Sequence, residues 1–144
     1  MKYKDFLAWL SNAKAGDRIV YHVGNIGRDR TVQIFPNDET VELNAIADIA
    51  WKAAAPKYFI LGGKEDSEDF SGLGVCDLTQ RNLGHVAYTD ACTFEYVLSV
   101  RRSLYPAEIE TLAATGLHRY RIGKNTMKRT IAKAEEKAAN YAAA

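Results

Sequence analysis

The sequence predicts an α+β domain that is followed by a helical extension at its C-terminal end. Apolar residues recur at spacings of three and four between residues 40 and 55, as they do on one face of a helix. Residues 92–102 instead alternate between apolar and polar side chains, which is typical of a strand in an antiparallel sheet with one covered face. After residue 103 the composition changes, so we expect a domain over residues 1–103 and a basic extension over residues 104–144.

The first predicted elements are a helix, a strand and a short helical turn. Residues 4–15 place their apolar side chains on one helical face, and Gly16 is suited to the turn that ends this helix. Residues 18–23 alternate and are rich in β-branched side chains, which predicts a strand. Residues 25–30 predict a helical turn, and residues 31–35 either extend it or form a short strand.

Residues 40–55 predict the central helix of the domain, with Thr40 as its N-cap and Pro56 as its stop. Its predicted buried stripe consists of Leu43, Ile46, Ala47, Ala50 and Ala54, widened by Ile49 and Trp51. The exposed face includes the acidic residues Glu42 and Asp48, which repel phosphate, and only Asn44 is suited to reading a base. We therefore expect this helix to act as a scaffold of the core rather than as a reader of DNA.

The remaining elements of the domain complete a recognisable order. They are a strand over residues 57–61, an acidic loop over 64–74, a strand over 75–80, a turn over 81–85, a short strand over 86–89 and a strand over 92–102. The predicted order is helix, strand, two helices and an antiparallel hairpin, which is that of a winged helix-turn-helix domain. In that fold the third helix packs under a small sheet and the hairpin forms the wing.

The extension is predicted to contain two helices. Residues 105–115 form the first, because Pro106 suits the first helical position and Gly116 suits the end. Residues 117–123 form an extended link, and residues 125–143 form the second helix. The narrow apolar stripe of this second helix consists of Met127, Ile131, Ala134, Ala138 and Tyr141. We expect this stripe to pack on its own domain or on a second copy of the chain, which would give an oligomer.

Charge is distributed unevenly along the 144 residues. Residues 1–100 carry ten Lys and Arg against fourteen Asp and Glu, a net charge of −4, whereas residues 101–144 carry nine against four, a net charge of +5. The whole chain has a net charge of +1, so it has no overall attraction to nucleic acid or to an anionic membrane. Any electrostatic partner is therefore expected to bind the C-terminal part.

The strongest local signal lies in that part. Six basic residues occur between residues 119 and 133 with no acidic residue among them, and an aromatic side chain lies between two arginines. This set consists of Arg119, Tyr120, Arg121, Lys124, Lys128, Arg129 and Lys133. Such residues attract a phosphate backbone, and the aromatic ring can stack on an exposed base. Arg28 and Arg30 are additional candidates for phosphate contacts. Solvated surface positions, or pairing of these arginines with nearby carboxylates, are the alternatives.

No pattern of catalytic or metal-binding residues stands out. Cys76 and Cys92 lie far apart, and His22, His85 and His118 are scattered without the spacing of a metal site. We interpret the two cysteines as free thiols. The glycines do not form a phosphate-binding loop. The N-terminal residues lack the apolar core of a signal peptide, and no apolar run approaches the ~18 residues that cross a bilayer. The sequence predicts a non-enzymatic cytoplasmic protein with no cofactor, no metal and no membrane association.

Three stretches resemble small proteins encoded by bacteriophages and prophages. They are GDRIVYHVGNIGRDR at residues 16–30, LNAIADIAWKAA at residues 43–54, and a QR pair at residues 80–81 with FEYVLSVRR at residues 94–102. The resemblance covers about residues 4–102. It implies a winged-helix domain with a regulatory or binding role in a bacterial host cell. The acidic segment at residues 64–74 and the extension after residue 103 depart from the pattern.

Two functions follow from these observations. The first is a regulator that associates with DNA or RNA through its basic C-terminal segment. The second is a protein-binding module, or an inhibitor of a host protein complex, that meets its partner through the acidic first hundred residues or through the C-terminal helix.

Overall fold

The computed structural model describes residues 1–31, 37–57, 72–85 and 92–143. Its elements are α1 (Tyr3–Asn12), β1 (Arg18–Gly24), α2 (Ile26–Thr31), α3 (Asp38–Ala54), β2 (Cys76–His85), β3 (Cys92–Val100) and α4 (Pro106–Ala142). The predicted α+β class with a C-terminal helix is confirmed. The predictions for residues 32–35, 58–61, 64–71 and 86–89 lie outside the described residues. Among the described residues, no helix is long and apolar enough to cross a membrane.

The described strands form an antiparallel sheet in the order β1-β3-β2. In the central register Leu98 of β3 lies between Ile19 of β1 and Leu78 of β2. The alternation predicted for β3 is confirmed in part, because Leu98 and its neighbours at two-residue spacing, Tyr96 and Val100, are buried. These side chains form one wall of the core.

A turn predicted over residues 81–85 is wrong, because β2 continues to His85 and pairs with β3 over its whole length. The local irregularity is a register shift between Asn82 and Gly84. Gly84 has a φ of +106°, which glycine adopts without steric strain. The Asn82 side chain accepts a hydrogen bond of 2.7 Å from the Gly84 N–H. Asn and Gly therefore form a bulge within the strand instead of ending it.

Helix α3 begins three residues earlier than the sequence suggested. Its N-cap is Asn37, whose side chain accepts a hydrogen bond from the Thr40 N–H at 2.9 Å, so the prediction of Thr40 as N-cap is wrong. α3 ends at Ala54, one residue before the predicted end, and Pro56 follows its C-cap Ala55. Trp51 was expected to widen the buried stripe, but it is 45% exposed.

The core lies between the sheet and three helices. Phe6 and Leu10 of α1, Ile46 and Ile49 of α3, Leu98 of β3 and Leu112 of α4 are its largest fully buried side chains. Burial of each such side chain stabilises the fold by roughly 1.5–3 kcal/mol. Because Leu112 belongs to this cluster, the first turns of α4 are anchored in the same core as α1 and α3.

Helix α4 is continuous from Pro106 to Ala142, a length of about 55 Å. The prediction of two helices separated by a link at residues 117–123 is wrong, and Gly116 does not end a helix. Gly116 and Gly123 instead face α3, where added Cβ atoms would lie 2.6 Å from Ile49 Cδ1 and 2.9 Å from Val41 Cγ1. The two glycines allow close packing of α4 on α3, which outweighs their poor helix propensity of about 1 kcal/mol each.

Candidate nucleic-acid interface

The basic cluster predicted from the sequence lies in the middle of α4, where this helix runs antiparallel to α3. Arg119 is near Asp48, and Lys124 is near Asp38 at the beginning of α3. Past this point α4 continues beyond the N-terminal end of α3, and residues 131–143 are all exposed. The cluster therefore spans the last turns that α3 covers and the first turns that project from the domain.

Two of the predicted basic residues bind α3. The Lys124 ammonium donates a hydrogen bond of 2.6 Å to Asp38, and this bond raises the pKa of Lys124. The Arg119 Nε atom is 3.7 Å from the Asp48 carboxylate. These ion pairs hold α4 against α3, so their cations are committed to intramolecular contacts.

Tyr120 is also occupied within the chain. It is half-buried, and the centroid of its ring lies 5.1 Å from that of Tyr3 in α1. The Lys124 Nζ atom lies 5.5 Å from the centre of the same ring. The prediction that Tyr120 stacks on a nucleic-acid base does not fit this position, because its ring packs against the core.

Arg28 and Arg30 in α2 also lie beside carboxylates, and Arg30 shares Asp48 with Arg119 of the cluster. Arg30 donates 2.7 Å and 2.8 Å hydrogen bonds to Asn44 and Asp48 of α3. Arg28 is about half-exposed, and its Nε atom lies 3.6 Å from the Asp29 carboxylate. Arg30 therefore has the carboxylate partner that the sequence offered as the alternative to phosphate, and Arg28 lies beside one.

Four predicted basic residues face solvent. They are Arg121, Lys128, Arg129 and Lys133. Lys128 and Arg129 follow Arg121 by seven and eight residues, so all three share the face of α4 that points away from α3. Lys133 follows Arg129 by one turn. Among the described residues, no carboxylate oxygen lies within ion-pairing distance of these four side chains.

Asn125 was missed as a member of this surface. It was predicted to begin a separate helix over residues 125–143, whereas it is an exposed residue within α4. It lies one turn after Arg121 and one turn before Arg129. Its spacing from these two arginines is visible in the sequence, but this spacing places the three residues on one face only when the helix is continuous.

Helix α3 is covered on the side that a reading helix would present to DNA. Val41 and Ile49 lie against α4, and Asn44 is bonded to Arg30. Its N-terminal turn carries the exposed acidic residues Asp38 and Glu39, which repel phosphate. The placement of α3 thus agrees with the scaffold role expected from its sequence.

A cavity of about 730 Å³ adjoins the same region, between the N-terminal residues Met1 and Lys2, β1, α2, α3 and α4. His22 Nε2 lies 2.7 Å from Asp29 Oδ2, and this oxygen also accepts the Asn25 N–H at 3.1 Å. Glu42 accepts the Tyr3 N–H at 2.7 Å. Because these carboxylates are bonded within the chain, they form no open ligand set. No group of three or more potential metal ligands occurs among residues 1–31, 37–57, 72–85 and 92–143.

Fold and surface together define an α+β domain with a long, basic, partly projecting C-terminal helix. No protein-family model, curated protein or solved structure matches this chain.

Proposed function

We propose that this protein is a non-enzymatic, winged-helix-type regulator that associates with nucleic acid through the outer face of α4. The observation that carries the proposal is the exposure of Arg121, Lys128, Arg129 and Lys133 without carboxylate partners in the described part of the chain. Unpaired surface cations at this density favour phosphate, because each contact releases counterions from the nucleic acid.

The winged-helix assignment is supported by chain order and by sheet order. The elements follow each other as helix, strand, two helices and two strands, and β3 lies between β1 and β2. A winged helix has the same order, with its last strand in the middle of the sheet. In this chain α4 covers the third helix, so the proposed binding surface has moved from α3 to α4. The resemblance to bacteriophage and prophage proteins is consistent with a regulator carried by a mobile element.

The charge of the chain supports a local rather than a global attraction. Residues 106–142 contain seven Lys and Arg but four Asp and Glu, and the acidic residues lie near the two ends, at 108, 110, 135 and 136. The interval between Glu110 and Glu135 contains only basic charge. A nucleic acid is thus attracted to the middle of α4, while the acidic first hundred residues are repelled from it.

Binding of labelled DNA and RNA at low and high salt tests the proposal. The double substitution Arg129→Glu with Lys133→Glu should abolish binding at low salt, because it replaces two phosphate-binding cations by anions. The double substitution Lys4→Glu with Lys14→Glu is the matched control, since it changes the net charge equally at exposed positions of the N-terminal part. Absence of binding by the unaltered protein at low salt would contradict the proposal. Equal losses of affinity in both variants would show that the binding site lies outside α4.

Protein binding is the second candidate function, and the projecting end of α4 favours it. Ile131 is 53% exposed and Tyr141 is 88% exposed, on the same stripe as Ala134 and Ala138. This stripe prolongs the face by which α4 packs on α3. Light scattering over a range of concentrations tests self-association through it, and Ile131→Glu should abolish any dimer. A monomer at all concentrations would restrict this candidate to a foreign protein partner.

A further inference from the structure

We propose that α4 itself lies in the major groove of duplex DNA, with its outer face toward the base edges. This inference rests on the proposed function and names its substrate. In a helix-turn-helix domain the recognition helix lies in the major groove, but α3, which has that place in the chain order, is covered by α4 and its exposed N-terminal turn is acidic. The helix with a free basic face is α4.

Between residues 121 and 133 the outer surface of α4 consists of a crest between two basic flanks, and the exposed Glu135 and Glu136 follow it on the same side. The crest contains Arg121, Asn125 and Ala132, which follow each other at spacings of four and seven residues and are all exposed. This crest lies on the side of α4 opposite to α3, which is the side available to a binding partner. Arginine can bond guanine, asparagine can bond adenine, and an alanine methyl group can contact the thymine methyl group.

The flanks are placed to contact phosphates on both sides of a groove. Lys128 lies on one side of the crest, where the preceding Lys124 is held by Asp38, and Arg129 and Lys133 lie on the other side. A helix with its side chains is about 10–12 Å across, and the major groove of B-form DNA is about 12 Å wide. A helix seated in that groove therefore brings one basic flank near each phosphate backbone.

A single strand fits this surface less well. Proteins that bind single strands combine basic grooves with aromatic rings on which bases stack. Tyr120, the aromatic residue inside the basic cluster, packs on Tyr3 instead. Tyr141 is exposed but lies eight residues beyond Lys133, on the side of α4 that carries Met127 and Ile131. The outer face thus offers cations without a stacking platform.

An RNA duplex also fits less well. In A-form RNA the major groove is deep and narrow, and the minor groove is wide and shallow. A helix of ordinary diameter cannot enter the former, and in the latter its two flanks would lie far from the phosphates. The major groove of B-form DNA is therefore the groove in which both flanks can contact phosphates at the same time.

The first experiment compares one labelled oligonucleotide sequence as duplex DNA, duplex RNA and single-stranded DNA. We expect duplex DNA to bind at least about tenfold more tightly than the other two. Phosphate contacts from Lys128, Arg129 and Lys133 predict that this affinity falls roughly 40-fold between 50 and 200 mM salt. Methyl green, which occupies the major groove, should compete with the protein, whereas netropsin, which occupies the minor groove, should not.

The second experiment tests the orientation of α4 with two matched variants. Ala132→Glu places a carboxylate on the crest, and Ala134→Glu places one on the opposite side of the same turn; both alanines are exposed in the projecting part of the helix. We expect the crest variant to weaken duplex binding at least about tenfold and the control variant less than about threefold. Equal effects of the two variants would overturn the orientation.

The outcomes separate this inference from the function on which it rests. Equal or tighter binding of single-stranded DNA or duplex RNA, or competition by netropsin alone, would overturn the major-groove assignment while leaving nucleic-acid binding in place. Failure of all three oligonucleotides to bind at 50 mM salt would overturn both.

Discussion

Gly116 of α4 lies directly against Ile49 of α3, and this contact sets how closely the two helices pack. A Cβ atom at residue 116 would be 2.6 Å from Ile49 Cδ1, closer than Cβ atoms of folded proteins come to a neighbour, and 3.1 Å from Tyr3 Cδ2, which is a tight contact. Gly123, two turns further along, makes a similar approach to Val41. The position of the basic surface depends on these contacts, because they fix the direction in which α4 leaves the domain.

Substitution Gly116→Ala should destabilise the protein. Alanine favours the helical state by about 1 kcal/mol, but the added methyl group meets fully buried Ile49, and overpacking of this kind costs about 1–3 kcal/mol. We expect the free energy of unfolding, measured by urea denaturation, to fall by about 1 kcal/mol. Gly27→Ala in α2 is the control, since its Cβ atom would meet only Asn25 Oδ1 at 3.6 Å. An equal or larger loss in the control would contradict the packing argument.

Much of the fold could be predicted because local patterns determine it. The apolar spacing of residues 40–55 and the stop at Pro56 identified α3, and alternation identified β1 and β3. The continuity of α4 could not be predicted in this way. Glycine is common where helices end, so Gly116 predicts an end. Its role inside α4 is to allow close packing on Ile49, which is distant in the sequence.

The candidate site was predictable as a segment of the chain but not as a surface. The density of Lys and Arg located it in residues 119–133. Which cations face solvent depends on Asp38 and Asp48, and these carboxylates belong to α3. The sequence therefore grouped Arg119 and Lys124 with the four exposed cations, although both are engaged by α3.

An ion pair at the beginning of α4 should make the stability of the protein depend on pH in the acidic range. Glu108 accepts hydrogen bonds of 2.7 Å and 2.8 Å from Arg102 and one of 2.8 Å from the Tyr105 N–H. The bond with Arg102 is the main cause that lowers the pKa of Glu108 below its ordinary value of 4.5. A lowered pKa in the folded state means that the unfolded state binds more protons, so stability is present above pH 4.5 and is lost as pH falls through the folded pKa.

Glu108→Gln measures this contribution. We expect the variant to be less stable than the unaltered protein at pH 7, and the difference to shrink as pH falls below 4.5. Thermal denaturation at several pH values gives the comparison. Glu110→Gln, at an exposed position of the same turn, serves as the control and should follow the unaltered protein. A difference for Glu108→Gln that stays constant down to pH 2 would exclude the ionised pair as its cause.

Cys76 should be unreactive in the folded protein. Its side chain is fully buried, and burial raises the pKa of its thiol to about 11. The thiolate that reacts with disulfide reagents and alkylating agents is therefore scarce at neutral pH. In a Cys92→Ser variant, a colorimetric thiol reagent should detect almost no reaction before denaturant is added and one thiol afterwards. Rapid reaction in the absence of denaturant would show that the edge of β2 opens at Cys76.

Neutralising Asp38 should strengthen binding of duplex DNA. Asp38 is 75% exposed and holds the Lys124 ammonium at 2.6 Å, so Asp38→Asn removes an anion beside the basic surface and frees a cation next to Lys128. One additional phosphate contact should raise the affinity several-fold and steepen the dependence on salt by about one counterion. Because the pair is exposed, its loss should leave the free energy of unfolding almost unchanged.

The control for this effect is Asp77→Asn. Asp77 pairs with Arg101 on the sheet, so its neutralisation changes the net charge equally without freeing a cation on α4. Fluorescence anisotropy of a labelled duplex at several salt concentrations measures both variants. If the affinity rises equally in both, net charge rather than the flank of α4 controls binding. If Asp38→Asn alone binds more tightly, Lys124 is a latent phosphate ligand that α3 holds back.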